Sequence, residues 1–131
     1  MFGYSEPVLQ RFPTIVGGVV HARGVANDLA HAELETAFRD EQLRALERIG
    51  ERSLAELPSI AAWRRAFSAF GVEPTRYRSA VEALLRRLTK QGEIPSRNPL
   101  VDLANLVSIR YDLPVAAFDQ RSVTGRTTVR F

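Results

Sequence analysis

The sequence predicts a single α+β domain, and three observations carry the expectation. β-branched segments bounded by proline or glycine lie toward both ends, amphipathic helical patterns fill the middle, and the length and apolar content suit one core. The chain has 131 residues, 45% of them hydrophobic, which is enough for one ordinary domain spanning 1–131. Residues 1–59 are expected to supply an N-terminal strand and a helical region, and residues 60–131 the remainder.

Thr14 to Ala22 is β-branched and bounded by Pro13 and Gly24, so it reads as a strand broken or bulged at Gly17-Gly18. The paired glycines could instead let a ligand approach the backbone, but neither a helix start nor a Lys-Ser/Thr pair follows at phosphate-loop spacing. Residues 28–50 read as helical, with Leu34, Ala37 and Phe38 on one face, continued by Leu43, Leu46 and Ile49, and Gly50 as the stop. Ser53 and Glu56 have capping-box spacing, and Pro58 limits that element to one turn.

Ile60, Trp63, Phe67 and Phe70 recur at helical spacing before Gly71. They form one face, read as core rather than as a base-stacking row. Pro74-Thr75 is expected to start a third helix with Tyr77, Val81, Leu84, Leu85 and Leu88 as its apolar stripe, Ser79 and Glu82 at capping-box spacing, and Glu82 paired with Arg86. Gly92 and Pro95 end it. Asn98-Pro99 places a capping side chain before a proline in the first helical position, so a fourth helix should run from about Leu100 to Ile109 or Arg110.

That fourth helix is apolar nearly all round and therefore expected to be central. Asp102 and Asn105 share a face of it, and a buried polar group without a partner costs about 1–3 kcal/mol. They either bond backbone, Asp102 at first-turn amides and Asn105 at a loop, or line a polar pocket. Beyond it, Leu113 to Asp119 has the composition of a short strand, and Arg126 to Phe131 alternates as a second. The last strand leaves a sheet edge to be covered by the N-terminal strand or another chain.

Composition excludes several functions. The absence of cysteine removes disulfides, thiol catalysis and thiolate metal sites, and with only His21 and His31 no metal and no cofactor is expected. No basic leader opens the chain, and the apolar run Thr14 to Val20 is too short for a membrane span, so no membrane partner and a cytoplasmic location are expected. Charge is uneven. Residues 1–59 carry six arginines against nine carboxylates, whereas residues 60–131 carry eleven arginines and Lys90 against six. Arginine forks suit phosphate, although a solvated charged face would look the same.

Trp63 to Phe67, Phe70 to Pro74, Tyr77 to Arg87 and Ile94-Pro95 lead into Asn98-Pro-Leu-Val-Asp-Leu-Ala-Asn-Leu-Val-Ser-Ile-Arg110, then Leu113-Pro114, Ala117-Phe-Asp119, Gly125 and Val129-Arg130. This ordered series, from about Ile60 onward, resembles the tRNA-binding and editing domain (the B3/B4 domain) of the phenylalanyl-tRNA synthetase beta subunit. The resemblance implies an α+β fold with a mainly antiparallel sheet flanked by about four helices. Relatives continue past the Val-Arg strand, so the sheet is expected to be incomplete at its C-terminal end unless self-association or a second chain completes it.

The resemblance also implies a tRNA-linked role. In the synthetase this domain hydrolyses tyrosine wrongly joined to the tRNA for phenylalanine, using a Thr-Asn pair and a histidine. Here Asn105 keeps the amide, but Ala104 stands at the threonine position and Ala116 at the histidine position. Hydrolysis by this chain alone is therefore not expected.

The leading expectation is an RNA-binding module, with tRNA as partner, contacting phosphate through Arg78, Arg86, Arg87, Lys90, Arg110 and Arg130. The alternative is an aminoacyl-tRNA deacylase or ligase-related enzyme with Asp102, Asn105, Ser108 and Asp119 around its pocket. A third is a metabolite or protein-interaction domain that kept the fold and lost the chemistry.

Overall fold

The computed structural model describes residues 2–28 and 31–131. Among them, the elements run β1 (Phe2–Tyr4), α1 (Glu6–Arg11), α2 (Ala32–Ile49), a 3-10 turn (Leu54–Glu56), α3 (Pro58–Ala69), α4 (Ala80–Gln91), α5 (Pro99–Tyr111), a second 3-10 turn (Gln120–Ser122) and β2 (Thr127–Val129). The chain forms two compact units, Met1–Val25 with Phe118–Phe131, and Ala26–Ala117.

The expected α+β class with a mainly antiparallel sheet and about four helices is overturned. Five α-helices dominate, and the sheet among the described residues is two strands paired in parallel, with Phe2 opposite Thr127 and Tyr4 opposite Val129. A parallel pair needs a long crossover rather than a tight turn, and the chain between β1 and β2 supplies it.

Neither Thr14 to Ala22 nor Leu113 to Asp119 is a strand. Val16 and Val20 are both 93% exposed. A β-branched run gains its strand preference from packing on neighbouring strands, and this one has none among the described residues. Gly17 has a local role instead, because a Cβ there would collide with the Tyr4 hydroxyl of the same unit. The short α1, overlooked in the sequence, is set up by Ser5 at its N-cap and proline in its first turn, and buries Val8.

In the helical unit the local signals hold better. α2 ends at Gly50, whose φ of 57° suits glycine, although the helical expectation at Leu29 and Ala30 lies outside the described residues. Ser53 and Glu56 form the reciprocal capping box around the 3-10 turn. α5 begins at Pro99 with the Asn98 side chain accepting from Val101 N–H at 3.0 Å. The third expected helix starts later than Pro74. Ser79 is its N-cap, and residues 74–77 make a turn closed on the Glu73 carbonyl.

The core joins Phe38, Ala45 and Ile49 of α2 to Val81, Leu85 and Leu88 of α4 and to Leu106 and Ile109 of α5, with Leu57, Ile60 and Ile94 filling the ends. Ala45 replaces Leu43, which is 56% exposed, and Tyr77 lies outside the stripe at 54%. α3 buries only Ile60, and the rings of Trp63, Phe67 and the C-cap residue Phe70 are half-buried, Trp63 tilted against Phe67 with centroids 6.1 Å apart and Phe67 edge-on to Phe70 at 5.3 Å. α5 is not enclosed on all sides, since Leu103 is 48% exposed while Leu106 and Ile109 face the core. Gln42 pins the loop before α5, donating to the Ile94 carbonyl at 3.1 Å and accepting from Ile94 N–H at 2.6 Å. Its buried amide is thereby satisfied.

Candidate functional site

The charge layout of α4 follows from what Glu82 does. Its sequence neighbour Arg86 is the expected partner, but Glu82 turns into the protein, where its side chain is 2% exposed. Arg64 from α3 closes on it, with Nη2 2.6 Å and Nε 3.2 Å from Oε1 and Nε 3.2 Å from Oε2. Arg78 approaches the same carboxylate at 3.8 Å. This contact holds the Arg64 guanidinium more firmly protonated than usual, chiefly through the hydrogen bonds to Glu82. A buried carboxylate needs such a fork, because isolated charge in an apolar interior is costly.

The consequence is on the outer face. Arg86, Arg87 and Lys90 are exposed, and none has a carboxylate partner among the described residues. Among the described residues, Arg87 bonds the Gln91 side-chain oxygen alone, at 3.1 Å. Arg78 is partly committed to Glu82. Arg110, in contrast, has Nε and Nη2 both 2.8 Å from Glu41 Oε2 and is raised in pKa by those bonds, so its charge is largely offset. Arg130 is exposed in the other unit. The helical unit therefore gathers Arg86, Arg87 and Lys90, with Arg78 at their edge.

A second feature is a polar pocket of about 220 Å³ beside the start of α5, lined by Asn27, Asp28, His31, Glu35, Arg97 and Asp102 among others. Asp102 is 2% exposed and accepts from Ser96 Oγ at 2.5 Å and Arg97 N–H at 2.9 Å. Asn27 Oδ1 takes Leu100 N–H at 2.8 Å, Asn98 takes Val101 N–H through its side chain and Asp102 N–H through its carbonyl, and Pro99 has no N–H to offer. The donors of the first helical turn are thus spent within the protein, which leaves the pocket without the free amides that hold anions at helix starts. Among the described residues no group of three or more His, Asp or Glu could hold a metal ion.

Asn105 is half-buried on α5, one turn beyond Asp102. Ser108 is 1% exposed and donates to the Leu113 carbonyl at 2.6 Å, which closes the end of α5. Neither histidine nor carboxylate is bonded to that hydroxyl among the described residues. Asp119 lies in the smaller unit and caps the 3-10 turn at Gln120–Ser122.

Asp119 grips Arg121 through both carboxylate oxygens, the shortest bond being 2.7 Å to Nη2. The Arg121 side chain first, and its backbone N–H second, hold the Asp119 carboxyl down at about 2. A folded-state pKa below the ordinary value favours the folded form above that ordinary value, and the preference is lost as pH falls through about 2. A carboxyl-carbon NMR titration is expected to place the Asp119 midpoint near 2, and Arg121→Gln should move it up toward the free-carboxyl range. An unmoved midpoint in that variant would assign the depression to another cause.

Two arginines escape a reading by periodicity. Arg64 on α3 organises Glu82, and Arg48 on α2 joins Asp112 at 2.8 Å while donating to the Ile109 carbonyl at 2.7 Å, so it caps the C-terminal end of α5. Both partners lie far away in sequence.

The family model of the B3/4 domain matches residues 62–131. The chain belongs to the B3/4 domain family. That domain occurs in the phenylalanyl-tRNA synthetase beta subunit, which makes this chain a synthetase-related module. No curated protein and no solved structure matches the chain. The matched span takes in α4 with its basic outer face, α5, and the segment through β2. No helix among the described residues is long and apolar enough to cross a membrane.

Proposed function

We propose that this B3/4 module is a cytoplasmic RNA-binding protein whose partner is tRNA, held mainly through phosphate by the outer face of α4. The observation that carries the reading is the diversion of Glu82 to Arg64, which leaves Arg86, Arg87 and Lys90 exposed together without a carboxylate among the described residues. Their planar forks and ammonium suit phosphate oxygens, and contacts of that kind give affinity with little sequence choice. The family supports a tRNA partner in particular. Binding rather than hydrolysis is the reading, because Ala104 and Ala116 offer no side-chain hydrogen bond where the resemblance implies that the editing pocket uses threonine and histidine.

The test is a titration of labelled tRNA over a range of salt concentrations. Log K should fall linearly with log salt, and the double variant Arg86→Ala, Arg87→Ala should flatten the slope by about one to two units if both contact phosphate. An unchanged affinity and slope in the double variant would reject this face as the contact.

A further inference from the structure

A cleft of about 280 Å³ opens between the 3-10 turn at Leu54–Glu56 and α4. Four cations line it, Arg52 from the turn after α2, Arg64 from α3, and Arg86 and Lys90 from α4, against one carboxylate, Glu82. That carboxylate is taken: Arg64 binds it in a fork and Arg78 leans on it from outside. Arg52 donates Nε to the Ile49 carbonyl at 3.3 Å and Nη2 to the Arg48 carbonyl, which fixes its guanidinium at the rim. Arg86 and Lys90 stand four residues apart on one helix, an arrangement that is repulsive unless an anion lies between them. The hydroxyls of Ser53 and Thr89 complete the lining.

We propose that this cleft is a phosphate-binding seat, taking one phosphate group between Arg86, Lys90 and the rim arginine Arg52. A tetrahedral polyanion has oxygens to meet cations arriving from the turn and from α4, and it supplies the countercharge that Glu82 cannot. A membrane surface is a poor occupant, because the positive charge is gathered in a cleft rather than spread over a face. The seat deepens the RNA reading and rests on it only for what carries the phosphate: an RNA backbone or a free phosphate ester would present the same chemistry.

The experiment titrates isotope-labelled chain with inorganic pyrophosphate and follows amide shifts. Saturable shifts are expected at Ser53, Leu54, Thr89 and Lys90. Arg86→Gln and Lys90→Gln, both exposed and so expected to fold normally, should each weaken pyrophosphate by about two- to fivefold. Arg39→Gln removes the same charge from α2, ten residues or about 15 Å along the helix from Ile49, and should change it less than twofold. Equal weakening by all three variants would reduce the effect to diffuse charge and overturn the seat, as would the absence of saturable shifts.

The RNA arm separates the carriers. Pyrophosphate displacing a labelled RNA oligomer, together with weakened RNA binding in Lys90→Gln, supports a backbone phosphate in the cleft. RNA binding that is weakened by Arg86→Ala, Arg87→Ala but is unchanged in Lys90→Gln and not displaced by pyrophosphate overturns the cleft as the RNA seat but leaves the RNA reading standing. Saturable pyrophosphate binding without any RNA binding supports the seat, assigns it to a free phosphate ester, and rejects the RNA reading.

Discussion

Replacing Arg64 by alanine is expected to destabilise the helical unit by roughly 3 kcal/mol, the largest effect of any single surface-reaching side chain in it. Removing one partner of a buried pair strands the other, and such losses run to about 3–5 kcal/mol. The stranded group here is Glu82, 2% exposed and seated among Val81, Leu85 and the rest of the core. The lower end of that range applies because Arg78, already 3.8 Å away, can move onto the carboxylate. Glu82→Gln should cost less, since Arg64, 29% exposed, can turn to water. Combining Arg64→Met with Glu82→Leu should recover most of the loss, as apolar replacements of buried pairs do. Urea denaturation checks the series through the midpoint at constant slope. A loss below about 1 kcal/mol in Arg64→Ala would place this pair with ordinary surface bridges.

The second large effect is expected at Asp102. Its carboxylate is buried and accepts from Ser96 Oγ and Arg97 N–H, so it folds the approach to α5 back over the start of that helix. Asp102→Ala removes both acceptors and leaves two donors unpaired, which should cost about 1–3 kcal/mol. Asp102→Asn keeps one acceptor oxygen and should cost less, although its amide meets the remaining donor. Because Asn27 and Asn98 satisfy the first-turn amides independently, α5 itself should persist and the loop at Ser96–Arg97 should loosen. A pocket-lining role alone predicts a near wild-type urea midpoint with altered ligand binding, and that pair of results would reject the structural account.

How much could be read in the sequence divides along the range of the forces involved. Gly50 after α2, the Ser53–Glu56 box and the Asn98-Pro99 start of α5 were legible because a cap is decided by atoms a few residues apart. The strands were legible in part: the alternating segment Arg126 to Phe131 holds β2 at Thr127–Val129, while the earlier strand readings failed. Thr14 to Ala22 has the composition of a strand, but a strand exists only with a partner in register, and composition carries no information about the partner. The same limit applies to the candidate site. Glu82 and Arg86 have ideal helical spacing, yet a buried fork to Arg64 outcompetes an exposed pair four residues away, whose worth is only about 0.3–0.5 kcal/mol. Arg110 carries the charge of a phosphate contact, yet two of its guanidinium nitrogens, Nε and Nη2, lie against Glu41 of α2. Periodicity told which residues are charged. Tertiary pairing told which charges are left over.

The most direct test of the central claim maps where tRNA touches the chain. Isotope-labelled protein titrated with tRNA at low salt should show amide shifts concentrated at Arg86, Arg87 and Lys90 and their neighbours on α4, and these should vanish as salt is raised. Shifts confined instead to the pocket at Asp102, to the smaller unit, or absent altogether at a concentration that saturates a basic control protein would contradict it.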